Sequence, residues 1–171
     1  MKTAQNVIFS VSEYWGVETL DDKGETSASN ESSVVLYGQI DGKKVLFSGD
    51  AGQQALERSA DFCDANFLPL QQFRLLSVPH HGSRRNVGPT ILDRLIGPKL
   101  LEGNEATSSA VVSASKDDEH HPKRVVLNAL KRRGLAVATT EGVNIRHAHN
   151  AGDRQGFSIV PPLPFYNDVE E

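Results

Sequence analysis

Three short stretches of this sequence carry side chains that could grip a metal ion or move a proton, and each falls just beyond an apolar run. Asp50 follows KKVLFSG, His80 and His81 stand side by side in SVPHHGSRRN, and DDEHHP (117–122) follows AVVSAS. Carboxylate plus imidazole is a donor set suited to zinc, manganese or iron. In α/β sheets ligands collect outside one end of the strands, so three such corners meeting in space would make a site. Each corner also has an ordinary reading. An aspartate after glycine at a strand end is commonly a turn or N-cap residue, His120 and His121 could cap a proline-started helix, and Arg84 and Arg85 would be solvated surface charge. Beside histidines, however, the two arginines suit an anionic substrate such as phosphate. Adjacent residues on an extended strand point to opposite faces, so His80 and His81 share one ion only if the chain turns there. Gly82 offers that turn. One histidine as ligand, with the other as orienter or substrate contact, is the reasonable division. His147 and His149 have the spacing of a ligand pair on one strand face but read better as exposed or local contacts.

Those corners need elements to hold them. SVVLYGQI (33–40) and KKVLFSG (43–49) flank Asp41-Gly42, a two-residue connection suited to a type I′ hairpin turn. Residues 52–66 with Phe67 place Ala55, Leu56, Ala60, Cys63 and Phe67 at roughly helical spacing. FRLLSVP (73–79) and AVVSAS (110–115) read as buried strands, and PTILDRLIG (89–97) as a short helix opened by proline and closed by glycine. PKRVVLNALKRRG (122–134) is the clearest helix, with proline at its start, one apolar face, basic residues in its last turn and glycine after it. LAVATT (135–140) and VNIRHA (143–148) surround Glu141-Gly142 and suggest a second hairpin. Residues 6–15 read as an N-terminal strand and 19–32 as a solvated loop. The proline-rich tail could lie across the surface or engage a partner. Alternation of strand and helix argues for a layered α/β domain.

Composition limits the function classes. The chain has 171 residues, enough for one domain with a sizeable core. Eighteen basic against twenty-two acidic residues give a net charge of -4, which offers no global electrostatic case for nucleic-acid binding. A single cysteine, Cys63, excludes an internal disulfide, suits a reducing compartment and reads as a small core residue. No signal peptide or membrane span is visible, so a cytoplasmic location without membrane attachment is expected.

Taken in order, SNESSVVL, KVLFSGDAG, FRLLSVPHHGSRRN and AVVSAS…HHP, followed by a helix ending RRGLAVATTEG, resemble the metallo-β-lactamase superfamily. Within it, the resemblance is to the ComEC/Rec2-like hydrolases associated with DNA uptake. It runs over residues 28–146 of a single 1–171 domain, with 150–171 as a tail. The resemblance implies an αββα sandwich with one or two zinc or manganese ions along one edge of its sheets. It implies Asp50 as a ligating or bridging carboxylate, His80 or His81 as a late metal ligand, and His121 as a catalytic acid or substrate contact. Gly82 and Ser83 would shape the substrate loop, with Arg84 and Arg85 steering phosphate. A metal in such a site lowers the pKa of bound water and polarises the scissile bond.

The family signature HxHxDH, which supplies most ligands from the N-terminal half, is absent: residues 1–79 contain no histidine. Zinc normally takes three or four protein ligands. The expectation is therefore the C-terminal half of such a sandwich plus a short N-terminal strand. The missing ligands would come from a chain or segment carrying HxHxDH. An uncovered apolar sheet favours such a partner, or a homo-oligomer. The expected substrate is a phosphodiester, in nucleic acid or in a small phosphorylated molecule. The competing expectation is a catalytically silent interaction or scaffold subunit.

Overall fold

Asp41 and Gly42 both adopt positive φ, 49° and 71°, the pair of left-handed residues that a type I′ turn requires. They join strand β2 (Leu36–Ile40) to β3 (Lys43–Phe47) in an antiparallel hairpin, with Leu36 opposite Phe47 and Ile40 opposite Lys43. The computed structural model, which describes residues 10–170, then continues the sheet by parallel crossovers. Helix α2 (Gln53–Ala65) leads from β3 to β4 (Leu75–Ser77), α3 (Pro89–Leu95) to β5 (Ser108–Val112), and α4 (Arg124–Arg132) to β6 (Leu135–Thr139). The sheet order is β2-β3-β4-β5-β6, mixed in direction, and the fold is mixed α/β with four helices including the single turn α1 (Ala28–Glu31). Each strand adds to the same edge, so right-handed crossovers put α2, α3 and α4 on one face of the sheet.

Burial follows from that one-sidedness. Leu46, Leu76, Ala110 and Val137 are paired across the sheet in one row and are all buried against the helices, with Leu56, Ile91, Leu92, Val126 and Leu130 opposite them. The alternate residues point away. Leu36, Ile40 and Phe47 on that second face are 59%, 65% and 45% exposed, and Val45, Leu75, Val111, Ala136 and Ala138 continue it half-buried. Over β5 and β6 residues 143–162 overhang this face, leaving a cavity of about 940 Å³ between them. Over β2 and β3 it is open. The apolar side chains that remain exposed on this face are thus those of β2 and β3.

Several expectations are corrected at the ends of the chain. Of the strand expected over 6–15, residues 6–9 lie outside the described part, and among the described ones β1 (Ser10–Ser12) forms. It pairs antiparallel with β7 (Asp168–Glu170) from the tail, apart from the main sheet. The 19–32 loop is not wholly solvated: Leu20 is buried, and Glu31 of α1 accepts the Ala55 N–H at 2.6 Å in the first turn of α2. The expected second hairpin does not form. Residues 143–148 make no strand, and the far edge of β6 instead receives the tail, where Leu163 N–H donates to Val137 C=O. The tail thus lies across the surface, held also by the Tyr166 N–H to the side chain of buried Asn128.

Beneath β1, the Glu13 carboxylate is fully buried 3.3 Å from the Arg132 guanidinium and accepts from Thr19 and Asn128. Arg132 donates in turn to the carbonyls of Tyr14, Trp15 and Val17. This network pins the N-terminal segment to α4.

Candidate functional site

Chain direction gathers the three corners. Strands β3, β4 and β5 are parallel, so the segments after Phe47, Ser77 and Val112 leave the sheet at the same end. The turn after β4 comes earlier than Gly82. His80, His81 and Gly82 adopt φ of 43°, 56° and 79° in succession. Two adjacent histidines in the left-handed region cost roughly 1–2 kcal/mol each, and such strain persists only where neighbours over-determine it. Here they do. The His80 N–H donates to Gly49 C=O at 3.0 Å, the Ser83 N–H closes the turn on His80 C=O, and the Lys123 N–H donates to Gly82 C=O at 3.1 Å. The turn is therefore tied on one side to the Asp50 corner and on the other to the loop carrying His121. Gly82 makes the second approach feasible, because a Cβ there would lie 2.8 Å from the Pro122 Cβ.

The result is a cluster of three imidazoles. Ring centroids are 5.7 Å apart for His80 and His81, 5.9 Å for His80 and His121, and 6.4 Å for His81 and His121. Each Nδ1 faces an acceptor. That of His81 lies 2.5 Å from Ser113 C=O, and that of His121 lies 3.1 Å from the Asp118 carboxylate. That of His80 lies 3.2 Å from Asn86 Oδ1, whose identity as oxygen follows because Asn86 Nδ2 donates to the carbonyls of Asp50 and Ala51. In the neutral rings the proton consequently sits on Nδ1, and every Nε2 keeps its lone pair. An imidazole held this way by its far nitrogen has the form of an oriented ligand or base. Asp118 is itself held ionised: the His120 N–H, ahead of the His121 contacts, keeps its carboxyl below the usual carboxylate range.

The other expected residues stand as follows. Asp50 is exposed, with its backbone carbonyl fastened by Asn86. Ser83 is buried and its Oγ accepts the Arg85 N–H, so it shapes the loop from within. Arg84 is half-buried and Arg85 exposed, and neither forms an ion pair among the described residues. The capping alternative for His120 and His121 does not hold: the first N–H of α4, on Arg124, goes to Glu170 Oε2 at 2.9 Å. His147 and His149 stand apart on the 143–162 segment, the former half-buried with its basicity lowered by desolvation. Cys63 is buried in α2, as a core residue would be.

Asn86 was not singled out in the sequence. It is 1% exposed and holds the Asp50 corner and the His80 ring together, yet it ends the polar run GSRRN, where burial leaves no signature. Among the described residues, no three His, Cys, Asp or Glu side chains are gathered closely enough to hold a metal ion. A metal ion at this corner would therefore need donors beyond those these residues bring together.

Among known proteins, the chain is similar to ComE operon protein 3 of Bacillus subtilis (strain 168), 29% identical over 142 residues. That alignment covers 81% of this chain and 16% of the relative, so the chain spans about a sixth of that protein's length. No family model and no solved structure matches.

Proposed function

We propose that this chain is the C-terminal half of a metal-dependent hydrolase with a metallo-β-lactamase-like sandwich, acting on a phosphodiester or another phosphorylated substrate. The observation that carries the reading is the convergence of His80, His81 and His121, each with Nε2 free, at the sheet end where Asp50 also emerges. Two further facts support it. The sheet leaves an apolar face open over β2 and β3, where a second sheet would pack, and the similarity to ComE operon protein 3 spans all the corners in question in a protein far longer than this chain. In this reading the second sheet comes from a chain or segment carrying the HxHxDH ligands. This chain contributes Asp50 and one of His80 and His81 toward the metal. His121, oriented by Asp118, is placed to hand a proton to a leaving group, and Arg84 and Arg85 meet the phosphate. The free guanidiniums and the absence of competing ion pairs among the described residues suit that last role.

Zinc and manganese content decides the matter. The chain is co-expressed with a polypeptide bearing HxHxDH, purified, and compared with an Asp50→Ala, His81→Ala double variant. The proposal expects bound metal and phosphodiesterase activity in the first and loss of both in the second. Metal-free protein with no hydrolysis, in a complex that nonetheless forms, leaves the second reading: a catalytically silent scaffold subunit. The incomplete donor set among the described residues is what favours that alternative.

A further inference from the structure

We infer that Asn86 is a positioning residue for this site, holding His80 in the tautomer that leaves its Nε2 free and fastening the Asp50 corner to the histidine turn. The inference rests on the proposal above that His80 is one of the working rings. Its geometric basis is independent of any metal.

The side chain of Asn86 has one acceptor and two donor hydrogens, and all are engaged inside the fold. Nδ2 donates to Asp50 C=O at 2.9 Å and to Ala51 C=O at 3.2 Å, and Oδ1 accepts from His80 Nδ1 at 3.2 Å. A buried amide with every group paired is costly to disturb and directional in what it enforces. The two carbonyls belong to the segment that carries Asp50 out of β3. The imidazole belongs to a left-handed turn with no regular backbone ladder to hold it. A neutral histidine side chain in water prefers its proton on Nε2. An acceptor placed at Nδ1 reverses that preference, and for His80, in the chain without metal, the acceptor is Asn86. The other two rings have their own acceptors, Ser113 C=O and Asp118, which do not involve Asn86. They serve as internal controls that a merely structural role would not spare.

The test is nitrogen NMR of the imidazole rings in the full chain without added metal, at a pH where all are neutral. In the native protein His80, His81 and His121 should each show the proton on Nδ1. In Asn86→Leu, which is close in size but cannot accept, His80 alone should lose that pattern and move to the Nε2–H form. In Asn86→Asp, which retains the acceptor while losing both donors, His80 should keep Nδ1–H. The inference is overturned if His80 is unchanged in Asn86→Leu, if all three rings shift together, or if Asn86→Asp behaves as Asn86→Leu does. Should Asn86→Leu fail to fold, the native spectrum and Asn86→Asp still decide: Nε2–H at His80 in either one refutes the assignment. A chain that never binds metal would sink the hydrolase proposal and leave this outcome standing, so the two failures are distinguishable.

Discussion

Replacing Gly82 with alanine asks how closely the histidine turn must approach the loop of His121. Two costs arise, and a control separates them. Gly82 has φ of +79°, a conformation that costs an L-residue roughly 1–2 kcal/mol. The new Cβ would also sit 2.8 Å from the Pro122 Cβ and 3.4 Å from the Val112 Cγ1, a ring carbon and a packed core methyl that yield little. Forcing extra volume into such a place costs about 1–3 kcal/mol more. Gly42, in the β2–β3 turn, has nearly the same φ, +71°, and nothing within 4 Å of its hypothetical Cβ. Gly42→Ala therefore measures the backbone term alone. Urea unfolding of both variants should show Gly82→Ala less stable than Gly42→Ala by about 1–3 kcal/mol. For a chain of this size that is a further drop of about 2–4 °C in Tm per kcal/mol. The ring patterns of His80 and His121 should also change in Gly82→Ala and not in Gly42→Ala. Equal destabilisation by the two substitutions would refute the claim that close approach to Pro122 holds the cluster together.

Three other outcomes are expected. Glu13→Ala leaves the fully buried Arg132 guanidinium without its counter-charge and should cost about 3–5 kcal/mol in urea unfolding; a loss below 1 kcal/mol would show the pair to be dispensable. An Ile40→Glu, Phe47→Glu double variant on the open sheet face should change the stability of the isolated chain by no more than about 0.5 kcal/mol per site. A loss of the size expected of core residues would mean that this face is covered. For pH, the Asp118 carboxyl is lower in the folded chain than in the unfolded one, so its contribution is complete above the ordinary range near about 3.9 and is lost as pH falls through the depressed folded value. Hydrogen exchange at the His120 amide should stay protected down to that range in the native chain and be fast throughout in Asp118→Asn. Loss of protection already near neutral pH would contradict the assignment.

The local signals were legible in the sequence. Asp41-Gly42 specifies the hairpin because few residue pairs tolerate two positive φ angles, and α4 is marked by its apolar face and basic last turn. The three chemical corners could be named because each follows an apolar run that has to be a strand. What failed were judgements about partners distant in the chain. The 143–148 segment looks like a strand, but the tail takes the edge of β6 that it would need, and no local pattern announces that competition. In the same way β1 finds β7 at the opposite end of the chain, a pairing that short-range periodicity has no means of expressing.

For the site, residue types and their order along the chain established that imidazoles and a carboxylate would sit at one end of a sheet. Tertiary structure decided the rest. Two histidines in succession adopt a conformation that their own chemistry disfavours, because backbone bonds to Gly49 and Lys123 pull the turn from both sides. Asn86 becomes a hub only because the Asp50 corner and the His80 ring happen to flank it in space. The proton on each imidazole is placed by an acceptor, and for His80 and His81 that acceptor lies on a different corner or further along the loop. Side-chain chemistry is a property of the residue, but which nitrogen keeps its lone pair depends on a neighbour that only the folded chain brings within 3.2 Å.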